Sequence, residues 1–246
     1  MVRKWWHTAA AILFWVLVWH LGAMAVNRTL LLPVPTPADT AAALIRLGST
    51  RDFWLTVCAS LLRIGTGFLL AVAAGTAGAA LAVRWRLWEI AAEPLLRLIR
   101  AVPVASVTIL VFLWVSREHI PTFIAFLTVL PVIWSNVESG LRQTDRSLVE
   151  MAQVFGMRRR EILHKITLPS LRPYFTAAVA TGLGFAWKSG VAAEIICRAD
   201  SSLGNLLWGS KNAVDYDEVF ALTLVIVVWS VALETLARRF IKGGRR

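Results

Sequence analysis

Residues 53–83 read FWLTVCASLLRIGTGFLLAVAAGTAGAALAV, 31 positions carrying a single charge, Arg63. A helix needs about 20 mainly apolar residues to cross roughly 30 Å of hydrocarbon. This stretch is longer than one crossing requires. Its last 20 residues, Ile64 to Val83, suffice and leave Arg63 near one interface. Gly67, Ala71, Gly75 and Ala79 recur at four-residue intervals. Small residues at that spacing let helix backbones approach closely, so this face is expected to pack against another span.

Five further apolar runs flank it: Thr8 to Val26, broken only by His20; Ala101 to Ser116, short and opening with Val102-Pro103; Ile120 to Val137; Tyr174 to Cys197; and Val219 to Leu233. The first reads as an uncleaved anchor, because it is too long for a signal-peptide core and no small-residue cleavage site precedes Asn27-Arg28. The expected fold is an all-α integral membrane protein with six transmembrane helices. Composition agrees. Hydrophobic residues make up 57% and charged ones 17%, the mean hydropathy is +0.64, and 12 residues are Trp. Typical soluble domains hold roughly 45–50% apolar and about 25% charged residues. Disorder, fibre and a disulfide-stapled fold are excluded.

The net charge of +11 would suggest nucleic acid in a soluble chain. Here the charges lie between apolar runs, where topology and anionic lipid account for them. With the N-terminus inside, inner segments carry 18 Lys and Arg, outer segments 6, and Arg63 and Lys188 lie in or beside spans. That bias puts both termini in the cytoplasm. Trp5, Trp6, Trp85 and Trp88 would form an inner belt, with Trp54, Trp114 and Trp208 near the outer interface. Outside the membrane, Thr36-Pro37-Ala38-Asp39 has the form of a capping box and starts a short helix ending near Leu47.

The longest interruption of hydrophobicity is Arg142 to Arg172, on the cytoplasmic side by the charge count. Leu148, Met151, Ala152 and Phe155 follow a helical period. Gly156 can stop that helix in a left-handed conformation. A second amphipathic turn, Arg159 to Ile166, carries Ile162, Leu163 and Ile166 on one side, and Pro169 is expected to end it. The outcome is a helix–Gly–helix elbow, its apolar residues toward protein and Arg158, Arg159 and Arg160 toward water or lipid heads.

The spacing Glu150-Met151-Ala152, three residues, Gly156, nine residues, Ile166-x-Leu168-Pro169 resembles the EAA loop of ABC-importer permeases, with Met151 replacing the middle Ala. Leu32-Pro33, Ser60-Leu61-Leu62-Arg63 with Gly67-Phe68, Glu93-Pro94 with Arg100-Ala101-Val102-Pro103, and Ala193-Glu194 with Leu203-Gly204 are similar to the nitrate/sulfonate/taurine-type permeases. The resemblance implies a type I importer permease fold. It divides the chain into an anchor with outer helix (1–52), a permease domain (53–240, coupling loop 142–172) and a basic cytoplasmic tail (241–246). It also implies a second permease copy or a paralogue, a separate cytoplasmic ATPase holding ATP and Mg, an extracytoplasmic solute-binding protein, and a bacterial cytoplasmic membrane. Glu150, Met151, Ala152, Gly156, Ile166, Leu168 and Pro169 would couple to the ATPase.

The chain carries no G-x-x-x-x-G-K-[S/T] loop of its own. Gly182 to Ser189 has the wrong spacing and lies in a span, so no enzymatic activity is expected. Charges in spans are costly and mark function by default. Arg63, Lys188 and Glu194 are therefore candidates for the translocation pathway of a small anion, with Glu194 at the outer gate. The alternative is a structural pair of Lys188 with Glu138 or Glu194. The four His and two Cys (Cys58, Cys197) are scattered without metal-ligand spacing. A competing reading is a secondary transporter or channel subunit that works without ATP, which the short third run with Pro103 would suit.

Overall fold

The computed structural model describes residues 2–28 and 33–243. Leu32, the side chain of Trp5 and tail residues 244–246 lie outside the described residues. The described residues form helices α1 (Val2–Asn27), α2 (Pro37–Gly48), α3 (Arg51–Arg84), α4 (Arg86–Ala101), α5 (Val104–Val111), α6 (Ile120–Arg142), α7 (Arg146–Val154), α8 (Arg159–Ile162), α9 (Leu168–Cys197), α10 (Leu203–Asn212) and α11 (Tyr216–Gly243). A π-helical turn, Leu163–Thr167, joins α8 to α9.

The core is the contact of α3, α6 and α9. One stripe of α6, Ile120, Ile124, Val129, Ile133 and Val137, is at most 1% exposed. The small-residue face of α3 meets it as its spacing predicts. A Cβ on Gly67 would stand 2.2 Å from the carbonyl oxygen of Thr122, and one on Gly75 would stand 2.9 Å from the Cβ of Ile133. Gly78 is tighter still, because a Cβ there would lie 2.0 Å from the Trp134 ring. That ring stacks on Trp88 at 6.3 Å, and Trp88 Nε1 donates to the Gly78 carbonyl at 3.1 Å.

Four helices are long and apolar enough to cross a membrane: α1, α3, α6 and α11. The third expected span is not one straight helix. Its residues divide between α4 and α5, which bend by 102° and together have the length and apolarity of a fifth span or of a re-entrant loop. Val102 precedes Pro103 and is driven to extended backbone, ψ 130°. The expected fifth run, Tyr174–Cys197, is a long helix within α9 but falls short in apolarity. The reason is its burial: Gly182, Gly184, Ser189, Gly190 and Glu194 face neighbouring helices, so small and polar residues take the place of a lipid-facing surface. Arg100, counted with an inner loop in the charge tally, instead donates from Nη2 to the carbonyl of Pro131 at 3.2 Å, midway along α6.

At the opposite extreme, α1 leaves Ile12, Leu13, Phe14, Trp15 and Leu21 exposed. It is tied to the rest by Trp19, whose ring stacks on Phe220 at 5.9 Å and whose Nε1 donates to the Pro35 carbonyl at 3.1 Å. The Thr36 capping box forms as expected, with the Thr36 N–H donating to Asp39 at 3.0 Å. The Thr36 hydroxyl, and then its backbone N–H, hold the Asp39 carboxyl below its ordinary range. Arg46 fastens α2 to α11 through Asp215 at 3.1 Å and Glu218 at 3.5 Å.

Gly67→Val is expected to destabilise the chain by at least the roughly 1–3 kcal/mol typical of an overpacked core, since the obstacle is backbone. Gly65→Ala meets nothing within 4 Å and should be neutral within about 0.5 kcal/mol. Thermal unfolding of the detergent-solubilised variants measures both, and equal melting temperatures would refute the packing.

Candidate functional site

The elbow begins where α6 ends. Arg142 reaches Glu138 and Glu89, each at 2.9 Å, and Glu89 also holds Arg86 at 3.1 Å. The Tyr174 hydroxyl donates to Gln143, and a Cβ on Gly140 would stand 2.7 Å from Leu171. The elbow's root is thus bound to α4 and α9 by charge, hydrogen bond and close contact.

Asp145 caps α7, accepting from the Ser147 N–H at 2.9 Å and the Ser147 hydroxyl at 2.6 Å. The hydroxyl bond, and then the backbone bond, lower its carboxyl pKa. At the other end Gly156 takes φ +75°. The Met157 N–H donates to the Ala152 carbonyl at 3.0 Å and the Gly156 N–H to the Gln153 carbonyl at 2.9 Å. That pair of bonds is the Schellman stop anticipated from Gly156. The second limb then starts with the Arg158 N–H donating to Glu161 at 2.8 Å.

Pro169 does not end the second limb. Helix continues from Arg159 through the π turn into α9, with Pro169 in the first turn of α9, where its missing N–H costs least. The apolar face also differs from expectation. Ala152 and Ile162 are buried, but Leu148, Met151 and Phe155 are 44%, 51% and 79% exposed, and Val154 is more exposed still. Glu150 is exposed and ion-pairs with no described residue. Ile166 is half-buried in the π turn and Leu168 is exposed. The elbow is therefore rigid at its root and uncovered at its tip.

Of the three charges singled out in the spans, two come together. Glu194 is fully buried and faces Arg63 at 3.5 Å. Its other oxygen accepts from the Ser60 hydroxyl at 2.9 Å and the Gly204 N–H at 3.2 Å. Arg63 donates to the Asp200 carbonyl at 3.1 Å, and the Thr122 hydroxyl donates to the Arg63 carbonyl at 2.9 Å. Gly204 has no room for a Cβ, which would stand 2.5 Å from that of Glu194. Lys188 lies elsewhere. It pairs with Glu234 of α11 at 3.7 Å and with neither Glu138 nor Glu194. Glu138 is occupied by Arg142 and by the Trp134 N–H. Glu234 was missed because the last run was closed at Leu233. Its one sequence signal was a lone acid in an apolar helix, opposite a lone base in another.

Residues 67–244 match the family described as "Binding-protein-dependent transport system inner membrane component". A permease from Bacillus subtilis named for aliphatic sulfonates transport is 27% identical over 232 residues, 94% of this chain and 82% of the relative. The bicarbonate transport system permease protein of Synechococcus elongatus is 27% identical, covering 79% of this chain and 68% of its own. The nitrate import permease protein of the same organism is 28% identical over 68% of this chain and 60% of its own. In fold, the chain is similar to the crystal structure of a bacterial ABC transporter involved in alginate import. The TM-score is 0.66 at 15% identity, over 99% of this chain and 97% of that one. With its apolar helices and a family match over most of its length, the chain belongs to the inner membrane components of binding-protein-dependent ABC transport systems and is a multi-pass permease.

Proposed function

We propose that this chain forms the translocation pathway of an ATP-driven importer for a small anion and is driven by a separate ATPase through the α7–α8 elbow. One observation carries the reading. The elbow leaves Leu148, Met151, Val154 and Phe155 uncovered while its root at the end of α6 is fixed to α4 and α9. A surface helix ordinarily turns such a stripe toward protein; here the protein is a partner that receives the elbow in a cleft. Glu150 anchors that partner by charge, Gly156 sets the bend, and Ile166, Leu168 and Pro169 join the lever to α9. ATP and Mg reside on the partner. Its closure moves the elbow as a body and switches the spans between outward and inward access.

On this reading both termini and the elbow are cytoplasmic, and α9 makes a sixth crossing shielded by α3, α6 and α11. A second copy or a paralogue completes the pathway, and a solute-binding protein delivers the substrate from outside. Relatives named for sulfonates, bicarbonate and nitrate support an anion as the solute. The bend between α4 and α5 is the one feature that favours a secondary transporter instead, because broken helices serve such proteins as binding elements. Copurification separates the two: a Walker-containing subunit must accompany the roughly 27 kDa chain from detergent.

Two further outcomes are expected. Glu150→Lys and Gly156→Val should insert normally yet lower ATP-dependent uptake of nitrate, bicarbonate or an alkanesulfonate at least tenfold in proteoliposomes holding the full transporter. At Gly156 the cause is conformational, since a Cβ there meets nothing within 4 Å but a β-branched residue resists φ +75°. Wild-type uptake by both variants would overturn the coupling role. Separately, a thiol at Met151→Cys should label freely in the isolated permease and be shielded several-fold when the ATPase is bound. Equal labelling in the two states would remove α7 from the interface.

A further inference from the structure

The break between α4 and α5 opens a cavity of about 340 Å³ against α6 and α9, lined by Arg100, Val104, Thr128, Ser135, Asn136 and Phe185 among others. Its position is unusual for a cation. Pro131, whose carbonyl holds the Arg100 guanidinium, stands eleven residues from either end of α6. With α6 read as a crossing, Arg100 lies near mid-membrane depth, where an ionised group is expensive and faces a water-filled cavity or a partner.

The other deep charges are matched: Arg63 by Glu194, and Lys188 by Glu234. Arg100 has no carboxylate partner among the described residues, and no acidic residue lines the cavity. Thr128, Ser135 and Asn136 donate to carbonyls of their own helix, at 2.8 Å in each case. Their oxygens and the remaining Asn136 hydrogen add polarity to the walls without negative charge. Arg100 is exposed at the open side of this cavity, and a guanidinium with donors to spare beside walls without acids favours an anion over a cation.

We infer that Arg100 makes this cavity a mid-membrane anion station, the place where the permeating solute exchanges water for a fixed positive charge. The inference rests on the permease reading above and names the charge class of what passes. It also moves selectivity from Arg63, which Glu194 neutralises, to Arg100 on the broken span.

The test uses the full transporter in nanodiscs, with Cys58→Ala and Cys197→Ala removing native thiols and Ser135→Cys placing one in the cavity. The probes are the 2-sulfonatoethyl and the 2-trimethylammonioethyl methanethiosulfonates, one anionic and one cationic. Each rate is divided by that for a free thiol. With Arg100 present, the anionic reagent is expected to be favoured. Arg100→Gln should lower the anion-to-cation ratio roughly tenfold, the low end of what one-signed clefts produce. Arg100→Lys should keep most of the preference, which a merely structural role for the guanidinium fork would not. An unchanged ratio in Arg100→Gln overturns the proposal, as does a thiol that neither reagent reaches. Failure of the permease reading shows differently, as a chain that copurifies with no ATPase whatever occupies position 100.

Discussion

Everything in this molecule depends on the close approach of α3 to α6. In lipid there is no hydrophobic gain from helix association, because acyl chains are as apolar as Leu. Association must come from contact at short range, and Gly67, Gly75 and Gly78 provide it by removing every Cβ that would hold the helices apart. The consequence is directional. Thr122, Ile133 and Trp134 are fixed against α3, so α6 is fixed along its length, and α9 packs against both, Gly182 facing Val129, Ile133 and Phe68 and Gly190 facing Ile64.

The frame is locked at one end by charge. Glu194, Ser60, Arg63 and the N–H groups of Leu203 and Gly204 form one buried network. Burying a carboxylate is costly unless donors and an opposite charge compensate it; one Glu194 oxygen has two donors, and the other faces Arg63 at 3.5 Å without a hydrogen bond. The network joins α3, α9 and the start of α10, three segments distant in sequence. The missing side chain of Gly204 is what allows α10 to come near enough to donate. At the other end the lock is Arg142 between Glu89 and Glu138, and there the elbow begins.

Much of this was legible because it is local. The small-residue period of α3, the capping box at Thr36 and the left-handed stop at Gly156 each depend on residues within a turn or two. What escaped was long-range or inverted. Val102-Pro103 announced a break, but nothing nearby gives its angle of 102° or the cavity behind it. The polar content of α9 weakens its hydropathy for the very reason that neighbours cover it, so a scale built on lipid exposure undervalues it. Gly78 stands outside the four-residue period and gives no warning of Trp134. Leu148, Met151 and Phe155 had the pattern of a buried face, and their exposure became visible only once the chain's own surface was known. Arg100 was counted by its position between apolar runs, whereas its side chain follows the bent helix inward to α6.

The charges sort by depth and by partner. Arg63, Lys188 and Arg142 each face a carboxylate on another helix. Arg158, Arg159 and Arg160 are exposed on the elbow, where water satisfies a cation at little cost. Glu150 is unmatched on a limb whose apolar neighbours are also uncovered, a combination that fits a protein surface better than solvent. Arg100 is exposed beside the cavity, held by the Pro131 carbonyl and facing no carboxylate among the described residues. A pair can be exchanged for well-packed apolar residues with little loss of stability, so paired charges say little about what a membrane protein transports. An unpaired one at depth has no such substitute, and an anionic solute passing the cavity is the partner proposed above.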